Sequence, residues 1–364
     1  MLDLAAVNQA LSSVIDPNTG HDFVSSRSAR NIRIDGADGG SRVSLDVELG
    51  YPAASQLGLI RELIATSLKK AGATDVQIAV STKIVPHTVQ RGLKVMPNVR
   101  NIVAIYSGKG GVGKSTVAAN LALALTAEGA HVGMLDADIY GPSQPMMMGI
   151  SGRPESLDGK TLEPLENYGV QVSSIGFLVD QDTPMVWRGP MVTNALQQLL
   201  TQTNWKDLDY LVVDMPPGTG DIQLTLAQQV PVTGAVIVTT PQDIALLDAM
   251  KGLKMFEKVG VPILGIVENM AVHVCSQCGH AEHIFGSGGA ERMARDYQVE
   301  VLGSLPLDIR IREQTDSGRP TVVAEPEGPL AVQYKAIARR MAIRISERAK
   351  DLSSKMPTIK VSKT

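Results

Sequence analysis

A glycine-rich segment carries the clearest chemical signature of the sequence. Residues 108–116 read Gly-Lys-Gly-Gly-Val-Gly-Lys-Ser-Thr and lie between an apolar run, 101–106, and a helical pattern, 114–128. Glycines allow backbone N–H groups to turn toward one centre, and the start of a helix adds about half a positive charge there. The segment therefore predicts a P-loop that binds the phosphates of a nucleotide.

The side chains at the end of this segment have distinct expected roles. Lys114 is expected to reach the β- and γ-phosphates, and Ser115 to ligate Mg²⁺. The predicted phosphate-binding residues are Gly108, Gly110, Gly111, Val112, Gly113, Lys114, Ser115 and Thr116.

Carboxylates follow two further apolar runs. Asp136 and Asp138 come after the run 131–135 and could orient an attacking water molecule or hold Mg²⁺ through water. The run 210–214 ends at Asp214 and leads into a loop rich in glycine and proline, which is typical of a Walker B motif. Asp214 is therefore the candidate for outer-shell Mg²⁺ coordination, and Asp136 is expected to hydrogen-bond loop N–H groups.

The sequence contains only two cysteines, Cys275 and Cys278, with His280 and His283 close by. Two cysteines in a long chain do not build a disulfide scaffold. A redox role of the thioredoxin type needs the pair at a helix start, and c-type haem attachment needs histidine at the position of Gly279. A metal is therefore favoured, either zinc bound by these four side chains or an iron–sulfur cluster completed by the same cysteines of a second subunit.

Aliphatic runs suited to buried parallel strands follow one another along the chain, and helical patterns separate most of them. The runs are 101–106, 131–135, 170–175, 210–214, 235–240, 263–267 and 300–304. The helical patterns include 114–128, 243–259, 287–297 and 329–350. This alternation predicts an α/β fold with a doubly wound, mostly parallel sheet, whose ligands bind at the carboxyl ends of the strands.

The first part of the chain predicts a small α+β domain, with a short helix, a strand over 42–49 and a helix over 54–71. Proline and glycine then interrupt the pattern, which is typical of a linker. The predicted organisation is a small domain over 1–85, a linker over 86–100, a P-loop ATPase domain over 101–350 and a frayed polar tail over 351–364.

Composition narrows the class of protein. The formal charge of −3 gives no reason to expect binding to nucleic acid. The N-terminus lacks the basic start of a signal peptide, and the most apolar stretch, 261–274, falls short of the roughly 20 residues of a membrane span. The sequence therefore predicts a soluble, cytoplasmic protein with no nucleic-acid or membrane partner.

A second lysine, Lys109, stands at the start of the glycine-rich segment. This form resembles the deviant Walker A motif of the P-loop family that includes MinD, ParA, the nitrogenase iron protein and the Mrp/ApbC proteins. The resemblance implies that Lys109 crosses a dimer interface to the phosphates bound by the other subunit, in the manner of an arginine finger. It also gives Asp138 the water-orienting role, and gives Asn269 and the segment 305–308 a place in the adenine pocket.

The order of the motifs resembles more specifically the Mrp/ApbC iron–sulfur cluster carriers, over 99–323. The resemblance implies a homodimer that hydrolyses ATP to ADP and phosphate with Mg²⁺ and holds a [4Fe–4S] cluster between the paired Cys275 and Cys278. Apo iron–sulfur proteins, which receive the cluster, and scaffold proteins are the implied partners. Residues before 85 resemble the small domain that precedes the ATPase in this family, with Asp16-Pro17 similar to its motif, although Asn18-Thr19 and the lack of cysteine depart from it.

Two alternatives remain open. A positioning ATPase similar to MinD or ParA would need a terminal amphipathic helix or a basic face. The helical pattern 329–350 places Arg339, Arg340 and Arg344 beside apolar residues, but is expected to pack on the sheet. In the other alternative, the chain is an ATPase in which the cysteines hold structural zinc.

Overall fold

The computed structural model describes residues 2–37, 40–90, 92–179, 189–275 and 277–350. The polar tail predicted over 351–364 lies outside the described residues.

The N-terminal unit packs two helices on one face of a three-stranded sheet. Strand β1 (Ala29–Ala37) is antiparallel to β2 (Gly40–Leu49), and β2 is parallel to β3 (Ala73–Thr82). Every second residue of β2 from Val43 to Leu49 is buried, as the alternation of side chains in a strand requires. The helices are α1 (Leu4–Ser12) and α2 (Leu57–Lys70).

The predicted strand over 42–49 and the predicted helix over 54–71 correspond to β2 and α2. A 3₁₀ turn, Ala54–Gln56, precedes α2 and takes the first residues assigned to the helix. The sequence patterns did not predict β1 or β3.

The remaining strands form the central sheet and a separate small hairpin. They are β4 (Val99–Tyr106), β5 (Val132–Asp136), β6 (Leu165–Asn167), β7 (Val170–Ser174), β8 (Leu208–Asp214), β9 (Gly234–Thr239), β10 (Ile263–Glu268), β11 (His273–Val274), β12 (Ala281–Glu282) and β13 (Val301–Ser304).

Within the described residues, the central sheet has eight strands in the order β13-β10-β9-β4-β8-β5-β7-β6. Neighbouring strands are parallel except for β6, which is antiparallel to β7. The chain leaves β4 toward one edge through β5 and crosses back to the other side through β9, which makes the sheet doubly wound. The predicted α/β fold class is confirmed.

Helices cover both faces of the central sheet. They are α3 (Lys114–Ala127), α4 (Gln144–Met147), α5 (Gly189–Gln202), α6 (Asp221–Gln229), α7 (Asp243–Lys258), α8 (Gly289–Tyr297), α9 (Ile309–Asp316), α10 (Thr321–Ala324) and α11 (Pro329–Ser346). Side chains from Val117 to Leu125 of α3 are buried, because this helix lies between the sheet and α11.

Helix α11 buries its apolar side chains in the protein, among them Tyr334, Ile337 and Met341. The expectation that this segment packs on the sheet agrees with the contacts of α11 with β10 and β13. Among the described residues, no helix combines the length and the apolar character that crossing a membrane requires.

The N-terminal unit contacts the domain of the central sheet at the end of α3. Glu128, which follows α3, accepts hydrogen bonds from the Ser55 hydroxyl at 2.6 Å and from a guanidinium nitrogen of Arg339 in α11 at 2.5 Å. Its backbone carbonyl accepts from the N–H of Ala54 at 3.1 Å. The helix that begins at the P-loop thus ends against the N-terminal unit.

Candidate functional site

The backbone of the glycine-rich loop adopts a conformation that only glycine accommodates without strain. Gly111 and Gly113 have φ angles of +81° and +82°. A Cβ atom on Gly113 would lie 2.3 Å from Nδ2 of Asn269, and one on Gly108 would lie 2.3 Å from the carbonyl carbon of Asp248 in α7. The loop therefore passes closely between β10 and α7 and leads directly into α3.

Three of the predicted residues converge at the carboxyl ends of β4 and β8. Lys114, the first residue of α3, forms an ion pair with Asp214 at the end of β8, and its Nζ lies 3.2 Å from Oγ of Ser115. Lys114 is 6% exposed and Asp214 is fully buried. A buried lysine, a carboxylate and a hydroxyl thus share one small site.

Asp136, at the end of β5, orders the loop that follows it. Its Oδ2 atom accepts from the N–H groups of Ser143 and Gln144, both at 3.1 Å, and from the Ser174 hydroxyl at 3.0 Å. Its Oδ1 accepts from the N–H of Asp138 at 3.2 Å. Burial raises the pKa of Asp136 above its ordinary value, and the nearby Asp214 carboxylate raises it further.

Asp138 lies in this ordered loop, close enough to the ion pair to be affected by both charges. Burial raises the pKa of Asp138, the Lys114 ammonium group opposes that rise, and the Asp214 carboxylate adds to it. A partly buried carboxyl group with a raised pKa is suited to exchange a proton with water. Its water-orienting role stays a prediction.

Sequence reasoning missed two residues of this site, Ser143 and Gln144. Nε2 of Gln144 donates to Oδ2 of Asp214 at 2.9 Å and to the carbonyl oxygen of Ser115 at 3.1 Å. Oε1 of Gln144 and Oγ of Ser143 are buried and have no hydrogen-bond partner among the described residues. Neither residue belongs to a recognisable motif, and only the folding of the loop onto Asp136 brings them here.

The site suits Mg²⁺, the metal that the sequence implies. Magnesium prefers oxygen ligands and keeps several of its water molecules, which donate hydrogen bonds to outer-shell oxygens. Ser115 and Asp214 offer oxygens of the right type, and Gln144, whose Oε1 has no hydrogen-bond partner among the described residues, contacts both residues. These residues could hold a hydrated Mg²⁺ ion.

Lys109 points toward a neighbouring helix. Its Nζ lies 3.4 Å from Oε1 of Gln242, the residue before α7, and its carbonyl oxygen accepts from the Ser107 hydroxyl at 2.9 Å. The side chain is partly exposed. A long, partly exposed cation with a single weak partner retains the freedom to reach another molecule.

Asn269 follows β10 and contacts the phosphate loop. Its Nδ2 donates to the carbonyl oxygen of Val112 at 2.8 Å, and only 7% of the residue is exposed. Its backbone N–H donates to the carbonyl oxygen of Thr239 at the end of β9. The amide group thus supports the loop, and its role toward an adenine base stays a prediction.

Cys275 and Cys278 lie on the turn of the hairpin formed by β11 and β12. The N–H of Cys275 donates to the carbonyl oxygen of His280, and the N–H of Gly279 donates to that of Cys275, both at 2.9 Å. Cys278 is exposed and Cys275 is partly exposed. The backbone N–H groups of Cys278 and then Gln277 lower the pKa of the Cys275 thiol, because they stabilise its thiolate.

Two nearby histidines, His273 and His283, form hydrogen bonds at the base of the hairpin and not at its tip, where the cysteines lie. Nδ1 of His283 lies 2.8 Å from the carbonyl oxygen of Ala271, and Nδ1 of His273 lies 3.0 Å from that of Leu307. No group of three or more His, Cys, Asp or Glu side chains in the described ranges could hold a metal ion. The geometry therefore does not assemble the intrachain zinc site considered from the sequence.

Comparison with known proteins identifies two families that match this chain. The family described as "NUBPL iron-transfer P-loop NTPase" matches residues 98–342, and the one described as "Iron-sulfur cluster assembly protein" matches residues 4–80.

Named relatives and solved structures are also similar to this chain. An "Iron-sulfur cluster carrier protein" of Pseudomonas fragi is 63% identical over 73% of this chain and 94% of its own length. The mouse "Iron-sulfur cluster transfer protein NUBPL" is 52% identical over 71% of this chain and 82% of its own.

Among solved structures, a nucleotide-binding protein of Archaeoglobus fulgidus in complex with ADP is 39% identical, with a TM-score of 0.56, over 64% of this chain and 91% of its own. The cell division ATPase MinD of Pyrococcus furiosus is 25% identical, with a TM-score of 0.50, over 66% of this chain and 98% of its own. Because the family model spans residues 98–342 and the relative from P. fragi is 63% identical, the chain belongs to the NUBPL iron-transfer P-loop NTPase family.

Proposed function

We propose that this protein is a Mg²⁺-dependent ATPase that works as a homodimer, carries a [4Fe–4S] cluster between the Cys275 and Cys278 pairs of its two subunits, and delivers it to apo iron–sulfur proteins. The names of the relatives from P. fragi and mouse support cluster transfer. The observation that carries the proposal is the short segment 269–275, which begins at an asparagine bonded to the phosphate loop and ends at the cysteine hairpin.

This connection runs through the segment after β10. Asn269 bonds the P-loop at Val112, the N–H of Ala271 donates to Leu305 at 2.9 Å, and His273 bonds Leu307. The hairpin with both cysteines follows at once. Asn269 therefore connects the phosphate loop to a segment that reaches Cys275 within six residues.

The thiols suit a cluster shared by two subunits. A cubane cluster needs four thiolates, and each chain supplies two, so a two-fold axis at the hairpin would complete the set. The lowered pKa of Cys275 favours the thiolate form, which is the form that binds iron. The exposure of Cys278 leaves the pair accessible to a second subunit and to an acceptor protein. Unpaired thiols also support placing the protein in the cytoplasm, where thiols stay reduced.

The ATPase roles follow from the site at the ends of β4, β5 and β8. Lys114 and the loop N–H groups would bind the β- and γ-phosphates, while Ser115 and Asp214 would hold Mg²⁺, which neutralises phosphate charge when bound. Asp138 would orient the attacking water. Lys109 would reach the nucleotide of the partner subunit, and Asn269 with the segment 305–308 would face the base.

Anaerobic reconstitution with iron and sulfide tests the cluster. We expect a brown dimer with about four irons per pair of chains, read from visible absorbance, iron and sulfide content and size-exclusion chromatography. Cys275→Ser and Cys278→Ser should lose the iron and remain folded, whereas His280→Ala, a control on the same hairpin, should keep it. A colourless protein that retains zinc, and loses it in His280→Ala, would refute the cluster proposal.

Two lysine variants test the ATPase roles separately. Lys114→Ala should abolish nucleotide binding, whereas Lys109→Ala should bind ATP normally and hydrolyse it at least about 10²-fold more slowly, because it lacks the cation supplied to the partner's phosphates. Lys258→Ala, an exposed lysine of α7, is the matched control. Equal loss of binding in the Lys109 and Lys114 variants would contradict this division of roles.

A further inference from the structure

Strand β3 forms one edge of the N-terminal sheet, and its outer side has no paired strand among the residues that the structure describes. The N–H of Lys83 donates to the carbonyl oxygen of Leu49, the last residue of β2, at 2.8 Å. Because successive residues of a strand direct their backbone groups to opposite sides, the odd-numbered residues bond to β2 and the even-numbered ones face outward. A row of backbone donors and acceptors from Thr74 to Thr82 can therefore pair with another strand.

The two edges of this sheet differ in how they are protected. Natural edge strands avoid pairing with other chains by means of charged side chains, proline or bulges. The other edge strand, β1, carries Arg30, Arg33 and Asp35, and its register shifts between the two arginines. Strand β3 holds no proline or lysine, and its one charged side chain, Asp75, pairs with Arg42 of β2 at 2.8 Å. Strand β3 therefore lacks the features by which an edge resists strand addition.

The even-numbered residues of β3 also carry apolar side chains that the N-terminal unit covers incompletely. Val76, Ile78 and Val80 pack against the core beneath the helices but remain partly exposed. Their exposed neighbours, Gln77 and Ala79, lie on the opposite face of the strand. An added strand would cover part of this apolar surface and would pair the outward backbone groups at the same time.

The sequence of β3 is nearly symmetric about Ile78. Residues 74–82 read Thr-Asp-Val-Gln-Ile-Ala-Val-Ser-Thr. Two such strands that run antiparallel with Ile78 opposite Ile78 also place Val76 opposite Val80 and Thr74 opposite Thr82, and β-branched pairs of this kind stabilise a sheet. No like charges face each other, because the segment has one charged residue and it lies away from the centre. A two-fold contact requires a surface complementary to itself, and this strand meets that requirement.

We propose that the free edge of β3 pairs with the same edge of a second copy of this chain, antiparallel and centred on Ile78, so that two three-stranded sheets become one of six strands. Backbone hydrogen bonds supply the affinity, and the apolar even-numbered side chains fix the register. The contact uses none of the residues of the proposed contact at the cysteine hairpin. Because it is small, we expect a Kd on the order of 10 μM, so a dilute cluster-bearing dimer would not associate further on a sizing column.

Sedimentation equilibrium of the Cys275→Ser/Cys278→Ser variant without nucleotide tests this contact. This variant cannot hold the proposed cluster, so its association is independent of the proposed function. We expect mostly monomer at about 1 μM and mostly dimer at about 200 μM. In the same samples, hydrogen exchange of the Val76, Ile78 and Val80 amides should slow as the dimer forms.

Paired charge variants in this background test the register. Gln77 and Ala79 are exposed and would face each other across the contact, so Gln77→Lys with Ala79→Lys should weaken association at least about tenfold through like charges. Gln77→Glu with Ala79→Glu should do the same alone, and an equimolar mixture of the two variants should associate again. Gln9→Lys with Thr66→Lys, at exposed positions of α1 and α2, is the control and should leave association unchanged.

Urea unfolding checks that each variant stays folded. A monomer at all these concentrations, association that the paired lysines leave unchanged, or a mixture that does not recover association would overturn the proposal. Protection of the same three amides in a monomer would overturn it as well, because another segment of the chain would then cover the edge.

Discussion

The ammonium group of Lys114 and the carboxylate of Asp214 form a buried ion pair that joins the first turn of α3 to the end of β8. In the proposed function, a nucleotide phosphate and Asp214 would compete for this cation. Gln144 holds the other oxygen of Asp214, so the carboxylate cannot turn away freely. Binding of the phosphates would then require Lys114 to exchange one anionic partner for another.

Replacement of Asp214 by Asn should separate its competition for Lys114 from its proposed role in holding Mg²⁺. Without the competing charge, we expect ADP to bind more tightly than in the wild type in the presence of EDTA, while the gain in affinity from added Mg²⁺ disappears. Loss of the partner leaves a buried ammonium group, so the free energy of unfolding without nucleotide should fall by about 3 kcal/mol. Calorimetric titration with ADP and urea unfolding measure both effects, and a retained Mg²⁺ gain would contradict the assignment of Asp214.

Replacement of Glu128 by Ala should weaken the contact between the N-terminal unit and the P-loop helix. The side chain of Glu128 is fully buried and that of Arg339 is 11% exposed, so removal of one partner leaves a charge with little access to water. We expect a loss of about 3 kcal/mol in urea unfolding, with faster proteolytic cleavage between β3 and β4.

An exposed ion pair of Arg344, which lies on the same helix as Arg339, provides the control for the contact between Glu128 and Arg339. Arg344 is 44% exposed and pairs with Glu347, so Arg344→Ala should cost less than about 1 kcal/mol. A double-mutant cycle of Glu128→Ala with Arg339→Met should give a coupling energy above about 1 kcal/mol. Additive effects would show that the two residues act independently.

The sequence predicted those parts of the fold that local patterns determine. The run 263–267 became β10 (Ile263–Glu268), and 131–135 became β5 (Val132–Asp136), because a fully buried strand is apolar along its whole length. The sequence did not predict strand β1, because its polar residues adopt an extended conformation through pairing with β2.

The same distinction, between motifs that are local in sequence and contacts that form only in the folded protein, applies to the candidate site. Lys114, Ser115 and Asp214 could be found because motifs identify them one at a time. Gln144 could not, because its place beside Asp214 depends on the loop that three backbone hydrogen bonds to Asp136 hold in position. No spacing in the sequence reports such a contact.

Cys275 should be the more reactive thiol of the cluster-free protein at mildly acidic to neutral pH. The N–H groups of Cys278 and Gln277 lower its pKa, so its thiolate persists to lower pH than that of an ordinary cysteine. We expect the alkylation rate of the Cys278→Ser variant with iodoacetamide to rise at lower pH than that of a small model thiol. Mass spectrometry of the labelled peptides measures the rates, and a midpoint at or above the model thiol's would exclude this effect.

The acid sensitivity of the fold should depend in part on His87. Burial lowers its pKa in the native state, and the nearby charges of Lys350 and Arg348 lower it further, whereas the Asn101 hydrogen bond opposes these effects. The unfolded chain takes up this proton as the pH falls through about 6.5, and the native protein takes it up only at lower pH, so the free energy of unfolding decreases below about pH 6.5. Above it, both states are neutral and the contribution is constant.

The variant His87→Gln lacks this titration, and all other groups titrate as in the wild type. As the pH falls from about 7.5 to about 5.5, we therefore expect the wild type to lose more of its free energy of unfolding than the variant, because its unfolded state binds this proton more readily than its native state. Urea unfolding at several pH values measures the difference. Parallel curves for the two proteins would mean that His87 takes up its proton equally in both states.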